Sequence, residues 1–167
     1  MEKNELISTL AHAAEVVSQN IESMHGGCLY SSAILAALVK DSTELAVSLN
    51  TGSLEINGTS VFTHHPISKI LDAGASLPEG WSGHAWVSYE DVIIDPSIFQ
   101  TIYSSNKALK TKQYFDEILG GYKPYLLGQV KALSKRNINY IGMEILSEKH
   151  VSVLVSSAYK LGFAKIS

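Results

Sequence analysis

Gly83-His84-Ala85-Trp86-Val87-Ser88-Tyr89-Glu90-Asp91-Val92-Ile93-Ile94-Asp95-Pro96-Ser97 reads as a β-hairpin. In its first arm His84, Trp86 and Ser88 alternate with Ala85, Val87 and Tyr89, the period of a strand. Val92-Ile93-Ile94 is a β-branched run closed by Pro96, which has no N–H for a ladder. A two-residue turn at Glu90-Asp91 pairs Tyr89 with Val92, Ser88 with Ile93, Trp86 with Asp95 and His84 with Ser97. His84 and Asp95 then share a face as diagonal neighbours about 7–8 Å apart at Cα, close enough for an imidazole and a carboxylate to meet. A slip of one residue would place them on opposite faces. Glu90-Asp91 is not a favoured tight-turn pair, so this pairing depends on an even-length loop there.

Upstream, Asn4 to about Met24 carries Leu6, Leu10, Val17 and Ile21 at helical spacing, and Gly26-Gly27 breaks the chain. Cys28 to Lys40 forms a second helix, apolar nearly all round and therefore central to its domain. From Glu44 to Phe62 the pattern is that of strands, with Leu45, Val47 and Leu49, then Leu54 and Ile56, alternating with polar residues. Asn57-Gly58 is the strongest hairpin signal in the chain. Thr63 to Gly80 reads as surface loop around a short helix, Ile67 to Ala73. Downstream of the hairpin, Gln100–Lys112 reads as loop and Thr111 to Leu119 as a short helix. Pro124 to Tyr140 fits helix or strand, Ile138 to Leu146 strand. Ser147-Glu148 caps a last helix ended by Gly162. Helices first, strands second and mixed elements behind give an α+β fold.

The 167 residues allow one domain with a substantial core, assigned here to 1–167. A net charge of -3, from 16 acidic and 13 basic residues without long runs, argues against nucleic acid or an anionic membrane as a partner. The Lys131 to Arg136 stretch is a solvated helix face. No apolar run approaches the ~18 residues of a membrane-spanning helix. Acidic and polar, Met1-Glu2-Lys3-Asn4-Glu5 does not read as a secretory signal. A single cysteine precludes an internal disulfide, a zinc ribbon and CxxC redox chemistry, and fits a cytoplasmic setting.

Cys28 opens a helix directly after two glycines. Helix N-termini favour the thiolate through the dipole and unpaired N–H groups, and the Cys28 N–H could face a developing oxyanion. A lone cysteine on a buried helix is equally a small core hydrophobe. His84 gains weight from the acid on its predicted face, although Asp95 before Pro96 also suits a turn. Together the roles are specific. Cys28 attacks, His84 holds the proton and returns it to the leaving group, and Asp95 fixes the imidazole tautomer. Zinc held by Cys28, His84 and Asp95 is a weaker alternative. His64-His65 reads as a loop feature, because adjacent histidines in extended chain face opposite ways.

Gly27-Cys28 opening a helix, then His84-Ala85-Trp86-Val87, then Ile94-Asp95-Pro96-Ser97, resembles the transglutaminase-like branch of the papain-like cysteine enzymes, over roughly residues 20–100. The resemblance implies a papain-like fold with a buried cysteine-bearing helix on an antiparallel sheet. It matches Cys28 to the nucleophile, His84 to the base and Asp95 to the orienting acid. It implies acyl transfer through a thioester, without cofactor, from a peptide, protein or small amide to water or an amine. The chain departs from the pattern at Leu29, where many members carry an aromatic residue. No oxyanion side chain stands out; Gln19, Asn20, Tyr30 and Trp86 carry no motif. A calcium-dependent crosslinker does not fit, for lack of acidic loops and further domains. A non-catalytic binding module of the same fold is the other class left open.

Overall fold

The computed structural model describes residues 3–21, 27–74, 77 and 81–164. Seven helices and six strands lie within them. They run α1 (Lys3–Gln19), α2 (Gly27–Ser42), β1 (Ser48–Ile56), β2 (Thr59–Phe62), α3 (Ser68–Asp72), β3 (His84–Tyr89), β4 (Val92–Asp95), α4 (Ile98–Ser104), α5 (Leu109–Leu119), β5 (Leu126–Gln129), α6 (Val130–Lys135), β6 (Ile138–Leu146) and α7 (Glu148–Lys160). The fold is α+β around one antiparallel sheet.

β1 is the hub of that sheet. Its first half, Ser48 to Gly52, pairs with β3, and Leu54 to Ile56 pairs with β2 through the Asn57-Gly58 turn. β6 runs along Leu49 to Ile56, so β2 and β3 share the opposite edge of β1. β4 and β5 extend the sheet beyond β3. The predicted hairpin register holds. Tyr89 pairs with Val92, Ser88 with Ile93 and Val87 with Ile94. The turn closes with Glu90 at φ 50, a left-handed conformation that compensates for the absence of glycine.

Both faces of the sheet are covered at β3 and β4, and these two strands are accordingly nearly continuous in apolar residues, whereas β6 leaves Ile141, Met143 and Ile145 exposed. Leu49, Ala85, Val87, Val92 and Ile94 face α1, α2 and α7 in one core. Leu54, Ile56, Trp86 and Ile93 face Ile98, Phe99, Ile102, Phe115 and Leu133 in the other. α2 is the central helix, with Leu29, Ala33, Leu35 and Val39 inside, as its all-round apolarity requires.

Several boundaries differ from the sequence reading. α1 stops at Gln19 and not near Met24; Met24 and Gly26 lie outside the described residues. β1 begins at Ser48, leaving Leu45-Ala46-Val47 unpaired despite their alternation. α4 occupies part of the expected Gln100–Lys112 loop, because Phe99 and Ile102 plug the second core. The ambiguous Pro124–Tyr140 stretch contains both a strand, β5, and a helix, α6. Gly120 (φ 76) ends α5 and Gly162 (φ 70) follows α7, as expected of C-terminal glycines.

Gly52 shows how tightly the strands meet. A Cβ there would lie 2.0 Å from the Ile141 carbonyl oxygen and 2.9 Å from the Trp86 ring. Strand backbone cannot yield as a flexible side chain does. Gly52→Ala is therefore expected to destabilise the fold by about 3 kcal/mol or more, measured by urea unfolding.

Candidate active site

His84 is the first residue of β3 and Asp95 the last of β4, and both are fully buried. His84 Nε2 meets Asp95 Oδ2 at 2.5 Å. The parity argued from the hairpin thus delivers contact, and nothing but the two-residue turn is needed to produce it.

Asp95 is surrounded by donors. Oδ1 accepts the N–H groups of Ser97 and Ile98, each at 3.0 Å, and the Ser97 hydroxyl at 3.2 Å. The expected turn around Pro96 therefore exists as well, and it serves the same carboxylate. Oδ2 accepts a second bond from the Tyr140 hydroxyl at 2.8 Å. Burial opposes the Asp95 charge. The His84 charge and hydrogen bond, the Ser97 amide and the Tyr140 hydroxyl more than offset it and hold the carboxyl below its ordinary 3.8. Burial and the neighbouring carboxylate keep Tyr140 protonated far above its ordinary value.

For His84, burial likewise opposes charge, but the attraction and hydrogen bond of Asp95, with a smaller contribution from Cys28, push the imidazole up to about 10. Phe62 stacks on the ring at 4.8 Å between centroids, with Trp86 at 6.4 Å and Tyr140 at 6.2 Å. Nε2 is taken by Asp95. Among the described residues Nδ1 is buried without a hydrogen-bond partner, and Cys28 is near enough to the ring to raise its pKa.

Cys28 is the second residue of α2 and half-buried, the only cysteine of the chain. Its helix is docked by a defect in the hairpin. Continuing the β3–β4 register puts Pro96 opposite Ala85, where a residue with an N–H would donate to the Ala85 carbonyl. Proline has none. The Ser32 hydroxyl, one turn along α2 from Cys28, donates to that carbonyl instead, at 3.1 Å. So the Asp95-Pro96 pair that ends β4 also fixes where the thiol stands. His84 bonds Asp95, and Cys28 is near enough to His84 to raise its pKa.

Among the described residues, no three His, Cys, Asp or Glu side chains are placed to hold a metal. The other sequence candidates fall elsewhere. Gln19 bonds Glu15 and Asn20 bonds the Val16 carbonyl, both within α1. Tyr30 turns into the core beside Phe163, and the Trp86 ring lies over Gly52. The His64 side chain is buried, with Nε2 3.2 Å from Glu144 Oε2 but not in hydrogen-bond geometry, whereas His65 is exposed. Glu144 accepts the N–H groups of Ile67 and Ser68, so this pair secures the approach to α3.

Tyr140 was not anticipated. It reaches Asp95 from β6, which is joined to the hairpin only through β1, and nothing local in the sequence marks that route. The chain matches no protein-family model, no curated protein and no solved structure.

The linked titrations give a pH signature. His84 has a raised folded pKa, so its stabilising contribution is complete below its ordinary 6.5 and lost as pH rises towards about 10. Asp95 has a lowered one, so its contribution is present above 3.8 and lost as pH falls below it. Melting temperature is expected to plateau between about pH 4 and 6.5 and to decline on the alkaline side, a decline that His84→Gln removes. Tyr140→Phe should cost about 1–3 kcal/mol and move the acid limb to higher pH, because Asp95 loses a donor to its charged form.

Proposed function

We propose that this chain is a cysteine-dependent acyl-transfer enzyme with a papain-like, transglutaminase-like fold, acting as a peptidase or amidase. The observation that carries the reading is the buried His84–Asp95 pair, whose second imidazole nitrogen has no hydrogen-bond partner among the described residues, with the Cys28 thiol near the ring at the start of a central helix. A pair that keeps His84 protonated favours a thiolate–imidazolium couple at neutral pH.

In this mechanism the Cys28 sulfur attacks the substrate carbonyl carbon, and the carbonyl oxygen takes the charge. The first N–H groups of α2 point the helix dipole towards that oxygen. His84 gives its Nδ1 proton to the departing amine as the C–N bond breaks, leaving a thioester on Cys28. His84, now neutral, accepts a proton from a water that attacks the thioester, and the acid product leaves with the sulfur as thiolate. Asp95 holds Nε2 throughout, so that the titrating nitrogen is always the one facing sulfur. Tyr140 holds Asp95.

Iodoacetamide alkylation followed by mass spectrometry tests the couple. Cys28 in the intact chain is expected to react at pH 6–7 at least about tenfold faster than in His84→Ala, with Asp95→Asn in between. Equal rates in all three would leave Cys28 an ordinary thiol and favour a binding module of the same fold. Cys28→Ala should abolish turnover of fluorogenic peptide and amide substrates while leaving the melting temperature within a few degrees of the parent.

A further inference from the structure

α7 carries two stripes. Its inner one, His150, Leu154 and Ala158, is buried. A second, Val151, Ser152, Val155 and Ser156, recurs at helical spacing; its valines are half-buried against the core, its serines are exposed, and it lines a groove of about 820 Å³. The opposite wall is the C-terminal half of α2, represented by Ala36 and Ala37, and the end is closed by the unpaired Leu45-Ala46-Val47 stretch. Small side chains on two neighbouring helices leave the kind of trough into which the ridge of a third helix packs.

The rim has a sign. Asp41, Glu44 and Glu148 stand on it against one cation, Lys40. Lys40 is already paired with Glu148, and among the described residues Asp41 and Glu44 have no cationic partner within 4.0 Å. An apolar floor with an uncompensated acidic rim complements an amphipathic helix whose polar face is basic.

We propose that the α2–α7 groove is a docking site for a basic amphipathic helix of a partner protein. The site is distinct from the candidate active site and does not rest on the acyl-transfer reading. Ala36 and Lys40 lie roughly 12 and 18 Å along α2 from Cys28, at 1.5 Å per residue. A second copy of this chain is the poorer occupant, since the chain is itself acidic, with a net charge of -3.

The probe is a fluorescein-labelled peptide of about 14 residues, four helical turns, with leucines at i, i+3, i+4 and i+7 and lysines elsewhere. Fluorescence anisotropy should show saturable binding that weakens with salt. Affinity should fall at least about tenfold in Ser152→Trp, which fills the groove, and in the rim double variant Asp41→Lys/Glu44→Lys. Glu117→Lys, an exposed acid on α5 remote from the groove in the fold, should leave it unchanged. The same peptide with glutamates for lysines should not bind. Circular dichroism of each variant confirms folding, and the rim variant, being wholly on the surface, tests the site even if Ser152→Trp does not fold. Absence of saturable binding overturns the proposal. So does an equal loss in Glu117→Lys, which would indicate non-specific charge attraction. A dimer in sedimentation that the rim variant dissolves would assign the groove to a second copy and overturn it too.

Discussion

An ion pair with no exposure to water is stable only when its remaining lone pairs and protons are satisfied, because desolvating each charge costs several kcal/mol. Much of this fold can be understood from that constraint on His84 and Asp95. The carboxylate collects donors from three directions: the imidazole across the hairpin, the Ser97 and Ile98 amides after Pro96, and Tyr140 from β6. Each donor fixes a different element. The first spans the β3–β4 hairpin, the second starts α4, and the third ties β6 to a strand it does not touch in the ladder. Asp95→Ala would disturb all three.

Pro96 extends the same logic to α2. By withholding an N–H it leaves the Ala85 carbonyl unpaired within the sheet, and an unpaired buried carbonyl costs about as much as a lost hydrogen bond. Ser32 is buried on an otherwise apolar helix, a position that would be unfavourable without a partner, and that carbonyl is the partner. Two local irregularities, a proline at a strand end and a serine in a core helix, resolve each other. Their meeting sets α2 against the hairpin.

What could be read from the sequence was the part set by local period. Strand alternation placed His84 and Asp95 on one face, and the glycine break with the apolar run placed Cys28 at a helix start. The capping signal at Ser147 and the strand Ile138–Leu146 were equally local. Other features depend on tertiary packing. Phe99 and Ile102 form helix α4 because the second core accepts them, in a stretch whose own signals were those of a loop. Leu45 and Val47 alternate like a strand and pack against the core, but no strand pairs with them. Tyr140 lies 45 residues from Asp95 in sequence, and their contact requires the β1 hub, which pairs with three strands at once.

The chain contains its own comparison for judging the open nitrogen of His84. His150 is a second largely buried histidine bonded to an aspartate, Nε2 to Asp72 Oδ1 at 2.6 Å. Its Nδ1 accepts the N–H of Ser147 at 3.2 Å, completing the capping box of α7, so both nitrogens are engaged and the ring joins α7 to α3. That is how His150 is finished, whereas both ring nitrogens of His64, like Nδ1 of His84, are buried without a hydrogen-bond partner among the described residues. His84 is more deeply buried, at 0% against 7% exposure, and its need for a second partner is correspondingly greater. Yet on its second side it has no bonded amide or hydroxyl among the described residues, only the influence of a half-buried thiol on a helix start. A nitrogen left unbonded in such a site is costly for stability alone. Its cost is accounted for if that nitrogen must be able to take up and release a proton.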